Sequence, residues 1–215
     1  MTLAELTAQF QALMNRKDLS SNAALSSTFL TQAILRIQRE LRAPLQEATI
    51  LYTIPNTYVP SVGLAIPNDL LELISINVGV NQEYELQRGQ FGLVKDMAVN
   101  GNIGNPLKFT RLGGNWILGP APLFGDVIMI QYYASFPALV NPTDTNVLTI
   151  VAWDAPLYAA LSAACDFYND ERVDKFEKRY NQILQNLQNM ADGDELTADA
   201  AMSPVYAWPD DGIND

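Results

Sequence analysis

The 215-residue chain contains no histidine. That absence excludes Ser-His-Asp and Cys-His triads, His-ligated zinc and imidazole acid–base chemistry. There is one cysteine, Cys165, so neither an internal disulfide nor a Cys-rich metal site can form. Cys165 lies in the alanine-rich run LSAACDFY with no base to activate it, and it reads as a small buried hydrophobe. Long apolar runs are missing too. None approaches the ~18 residues that cross a bilayer, and mean hydropathy is +0.00, so a soluble protein with no membrane partner is expected. The opening MTLAELTAQF has no basic stretch followed by an apolar one and is not expected to act as a secretory signal. Positive charge is scarce: 13 Lys and Arg stand against 24 Asp and Glu, for a net charge of -11. No basic run offers a footprint for nucleic-acid phosphates. The acid spacing of an EF-hand loop is also absent, so Asp144 in NPTDTN reads as a turn residue. No metal or cofactor is expected.

What the chain does have is apolar material, 48% of residues, enough for one domain with an insertion. The acidity is concentrated at one end. From Ala191 onward there are seven acids (Asp192, Asp194, Glu195, Asp199, Asp210, Asp211, Asp215) and no Lys or Arg. The first 190 residues carry only −4, the remaining 17 acids against 13 bases.

Both ends read as helical. Leu3, Leu6, Phe10 and Leu13 recur at helical spacing, with Thr2 as N-cap. After the polar stretch NRKDLSSNAALSS, a second helix is predicted from near Ser27. Leu30, Ile34, Ile37 and Leu41 line one side and Arg36, Arg39, Glu40 and Arg42 the other, and Pro44 ends it. A third helix is predicted from an Asp154 N-cap, with Pro156 in its first turn and many alanines. A fourth is predicted from Asn169 or Asp170 to Gly193. Val173, Phe176, Tyr180, Ile183, Leu184, Leu187 and Met190 form its stripe, while Glu171, Lys175, Glu177, Lys178 and Arg179 face away.

The middle is β-like. Residues 48–54 and 71–78 read as strands, the latter alternating Ile74, Ile76 and Val78 against Ser75 and Asn77. Residues 88–98 read as a short helix or an irregular connection. DVIMIQYYA, residues 126–134, is apolar on both faces and is predicted to be central. The run RLGGNWILGPAP suggests a phosphate loop at first sight. No helix follows it, though, and Gly113-Gly114 sits between two β-type runs, which is the pattern of a tight hairpin.

The fold expected is therefore α+β. A four-helix bundle would form from N- and C-terminal helix pairs (1–47 and 151–192), with an inserted antiparallel β domain (48–150) and an extended acidic C-terminal arm (193–215). Within the arm, Val205, Tyr206 and Trp208 are candidate partner-docking anchors. Asp210 and Asp211 would complement a basic partner surface. Asp69 with Glu72, or Asp166 with Asp170 and Glu171, could in principle form a glycosidase pair. Turn and cap roles explain the same residues more simply.

The order of these pieces resembles the head-to-tail adaptor (portal adaptor) proteins of tailed bacteriophages. MTLAELTAQFQALM and FLTQAILRIQREL are similar to that family's opening helices, and AIPNDLLELISINV to its approach into a strand. GNPLKFTRLGGNWILGPAPLFGDVIMIQYYASFPAL resembles its hairpin, and WDAPLYAALSAACDFYNDERVDKFEKRYNQILQNL its closing helix pair. The likeness covers residues 1–190. It implies a non-catalytic structural virion protein of the neck, assembled in the host cytoplasm. Such proteins form rings, typically of 12 copies, that join the portal protein ring to tail or nozzle proteins and pass DNA through the lumen. The alternatives are a carboxylate-dependent cell-wall glycoside hydrolase or another tail-completion or tube component.

Overall fold

The first helix begins where the sequence says it should. Thr2 accepts a hydrogen bond from the Glu5 backbone and Glu5 reaches back to the Thr2 amide, closing a capping box. In this computed structural model, which describes residues 1–79, 84–101 and 103–200, helix α1 spans Leu3–Met14 and α2 spans Lys17–Ser21. Helix α3 (Ala23–Glu40) leads through a 3₁₀ turn at Pro44–Gln46 into the β region. The strands are β1 (Glu47–Thr53), β2 (Leu64–Ala65), β3 (Leu70–Val78), β4 (Tyr84–Glu85) and β5 (Gln87–Arg88). Helix α4 (Phe91–Val99) then precedes β6 (Lys108–Leu112), β7 (Asn115–Gly119) and β8 (Val127–Ala134). Helices α5 (Val147–Val151), α6 (Asp154–Phe167) and α7 (Val173–Ala200) follow.

The strands make two four-stranded sheets, ordered β1-β8-β3-β4 and β2-β7-β6-β5. Strand β8 is central to the first, as its two apolar faces require. Five pairings are antiparallel, but β5 and β6 run parallel, so the region is mixed rather than purely antiparallel. Gly113, at φ +59, turns β6 into β7 in the two-residue hairpin that the sequence predicted. The sheets share one apolar core that includes Ile54, Ile76, Trp116, Leu118, Ile128 and Ile130. On the other side of β7, Ile117 meets Val94 and Ala98 of α4.

A second, larger core is helical and draws on both ends of the chain. Leu6, Phe10, Leu30, Ile37, Leu157, Leu161, Cys165, Phe176 and Tyr180 all belong to it. Phe136 and Leu148 belong to it as well. The start of α1 is tied to this returning segment. Leu3 and Ala4 donate backbone hydrogen bonds to the Asp144 and Pro142 carbonyls, at 3.0 and 2.9 Å. These bonds satisfy amides that a helix N-terminus leaves open.

Several helix limits differ from expectation for local reasons. Residues 17–21 form α2 with Leu19 buried, and α3 starts at Ala23 because Asn22, not Ser27, caps it. Leu13 is exposed while Met14 is buried, one step further round the helix. Asp154 lies inside α6 rather than at its N-cap, which Trp153 occupies. Helix α7 begins at Val173, after a left-handed turn at Asn169, and runs through Gly193 to Ala200. A single glycine costs a helix only about 1 kcal/mol, so the segment 193–200 is helical rather than extended. Met190 is exposed. In β3, a bulge between Leu73 and Ser75 shifts the register, leaving Ile74 exposed and Asn77 buried.

Candidate functional site

The predicted docking residues Val205, Tyr206, Trp208, Asp210 and Asp211 lie outside the described residues. The candidate acid pairs are engaged separately. Asp69 accepts from the Tyr132 hydroxyl at 3.2 Å, whereas Glu72 accepts from Arg42 at 2.8 Å. Asp170 is tied to Arg172, whose hydrogen bonds hold its carboxyl down at about 2, while Asp166 and Glu171 are exposed. A general acid requires the opposite shift. Asp144 caps a turn, accepting from the Val140 and Asn141 amides. Its pKa is lowered by those bonds. Among the described residues, no three His, Cys, Asp or Glu side chains are grouped to hold a metal ion. Cys165 is fully buried against the Met14 sulfur, and burial raises its pKa.

What the fold does build is a polar clamp between the two ends of the chain. Arg36 of α3 holds Glu177 of α7 with two hydrogen bonds, 3.0 and 2.6 Å long, and Glu40 with a third at 2.9 Å. Ser162 of α6 donates to Glu177 at 2.6 Å, and the buried Tyr180 donates its hydroxyl to Glu40. The Arg36 guanidinium also lies 4.4 Å from the centre of the Tyr180 ring. The Arg36 hydrogen bonds are the main reason that the Glu177 pKa falls to about 2. Burial, reinforced by Glu40, raises that of Tyr180. The sequence pattern put Arg36 and Glu177 on solvent faces. Both are instead half-buried where α3, α6 and α7 meet.

Arg172 makes a second junction. Its guanidinium donates to the Leu13 and Met14 carbonyls, at 3.1 and 3.3 Å, capping the end of α1. Cations favour that end of a helix.

Beside this junction lies a groove of about 560 Å³. Leu13, Tyr158 and Phe176 supply its apolar surface, and Lys175, Lys178 and Arg179 its charged rim. No acid lines it. Those three cations make no salt bridge among the described residues. A second apolar surface sits at α5, where Val147, Ile150 and Val151 share one face, exposed together with Trp153. Among the described residues, no helix is long and apolar enough to cross a membrane.

A search of curated proteins returned no match. The chain matches the SU10 adaptor protein family over residues 1–206. That span takes in both helical ends, both sheets and most of the acidic segment. The protein therefore belongs to the SU10 adaptor family, a family of phage head–tail adaptors.

Proposed function

We propose that this protein is a structural component of the virion neck. It forms an oligomeric ring, of 12 copies, that joins the portal protein ring to tail or nozzle proteins and lets DNA pass through its lumen. The observation that carries the reading is the family match across residues 1–206. The helical core drawn from both chain ends supports it. Helices α1, α3, α6 and α7 act as a four-helix bundle, a stiff block whose flanks tile against neighbours, and the β region (48–134) offers a separate surface for another component. The net charge of -11 suits a DNA conduit, because like charge keeps the phosphates moving without adhesion. The protein performs no catalysis, and it folds in the host cytoplasm before joining the particle.

The acidic arm is the docking element. Val205, Tyr206 and Trp208 supply apolar anchors, and Asp210 and Asp211 steer them to a basic surface. Electron microscopy of the chain mixed with its portal protein tests the reading. Added density in the form of a ring is expected, of about 290 kDa for 12 copies of a 23.8 kDa chain. A chain that stays monomeric and leaves the portal ring unchanged would overturn it.

A further inference from the structure

The basic groove on α7 is unusual in a chain so poor in cations. Four of its 13 Lys and Arg (Arg172, Lys175, Lys178 and Arg179) fall within eight residues, and none follows them. Arg172 is committed to Asp170 and the end of α1. The other three stand free of ion pairs among the described residues, around a surface formed by Leu13, Tyr158 and Phe176. Glu171, just ahead of α7, and Asp174, in its first turn, are exposed and do not line the groove. The site therefore calls for an occupant that is both apolar and acidic.

The chain carries a segment of that chemistry. In VYAWPDD, residues 205–211, aromatic anchors precede a pair of aspartates, with no cation anywhere after Arg179. The spacing also matches. Trp208 and Asp210 are two residues apart, ~7 Å in extended chain. Phe176 and Arg179 are three residues apart, ~4.5 Å along the helix axis, and the long Arg179 side chain covers the remainder. An indole against Phe176 and Tyr158 thus brings the aspartates to the cationic rim.

Reach favours an arm supplied by another copy. Phe176 lies 24 residues before Ala200 on α7, ~36 Å along the axis. Trp208 lies eight residues beyond Ala200 and spans at most ~29 Å when fully stretched. Tyr206 spans ~22 Å. In its own copy the arm could meet the groove only when fully stretched back along α7, its backbone stopping ~7 Å short of Phe176, and such a taut arm carries the largest ordering cost. We infer that residues 205–211 of one copy dock into the Tyr158–Phe176–Arg179 groove of the adjacent copy. The contact is head-to-tail, joining two different surfaces, and such contacts close into rings when the rotation permits. The inference rests on the ring reading and names the basic surface that the arm meets.

The test uses the full chain assembled on its portal protein, with p-benzoylphenylalanine in place of Trp208 and a mixture of light and ¹⁵N-labelled copies. After irradiation, mass spectrometry should find cross-links from position 208 to the segments around Leu13, Tyr158 and Phe176, in light–heavy pairs. Lys175→Glu with Lys178→Glu and Arg179→Glu should cut their yield roughly tenfold. Asp210→Lys with Asp211→Lys should do the same. Combining both sets should restore the yield. Cross-links confined to single copies, cross-links only to the portal or tail proteins, or yields insensitive to both sets of reversals would each overturn the inference. Imaging before irradiation separates the two failures: absence of a ring refutes the ring reading, whereas an intact ring with cross-links elsewhere refutes the docking site alone.

Discussion

Replacing Glu177 with Gln removes the charge at the centre of the clamp while keeping its shape. Glu177 accepts two hydrogen bonds from Arg36 and one from Ser162, and its pKa falls from the ordinary 4.5 to about 2. A drop of that size corresponds to at most ~3 kcal/mol of folding stability. About a third of the side chain is exposed, at 34%, and solvent screening reduces the figure to ~2 kcal/mol. The folded value is depressed, so the contribution is complete above the unfolded pKa near 4.5 and is lost as pH falls towards 2. Urea unfolding followed by far-UV circular dichroism reads it directly. Glu177→Gln should be less stable than the parent by ~2 kcal/mol near pH 7. The gap should narrow steadily below about pH 4.5 and nearly vanish near pH 2. A gap that stays constant with pH, or one under ~0.5 kcal/mol near neutrality, would show that the clamp does not join the helices as argued.

Other perturbations probe the remaining junctions. Gly63→Ala should lower stability by ~2 kcal/mol or more, seen as a fall in Tm, because φ is +78° and a Cβ would lie 2.1 Å from the Trp116 carbonyl oxygen. Arg172→Ala should cost about 1–2 kcal/mol in urea unfolding, with hydrogen exchange rising first at the end of α1, whose Leu13 and Met14 carbonyls it leaves open. The Cys165 thiol, 0% exposed with a raised pKa, should resist an aromatic disulfide reagent in the native protein and react in full once urea unfolds it. Deleting residues 201–215 should leave Tm unchanged while lowering the yield of rings formed on the portal, seen in electron micrographs.

Features set by neighbouring residues were legible in the sequence. The Thr2–Glu5 capping box follows from a T-x-x-E spacing, the β6–β7 turn from Gly113-Gly114, and the central place of β8 from a run that is apolar on both faces. Features set across the chain were not. Arg36 and Glu177 are 141 residues apart, and each looks like an ordinary solvent-facing charge until α3 and α7 are packed together. Lys175, Lys178 and Arg179 read in the same way. Only the arrival of Leu13 and Tyr158 beside Phe176 turns them into the rim of a groove. The bulge at Ile74 and the two-residue parallel pairing of β5 with β6 leave no periodic signal that could have announced them. Gly193 misled because a stop signal in sequence is a modest energy, which the flanking helix formers offset.

The proposed role is positional: this chain would serve as one member of a ring in the neck of a phage particle. A cryo-electron microscopy reconstruction of the assembled neck tests it most directly. Copies of this fold are expected in a closed ring between portal and tail, with helical flanks in side-by-side contact and the lumen open to DNA. Finding the chain elsewhere in the particle, or as isolated copies that do not touch one another, would contradict it.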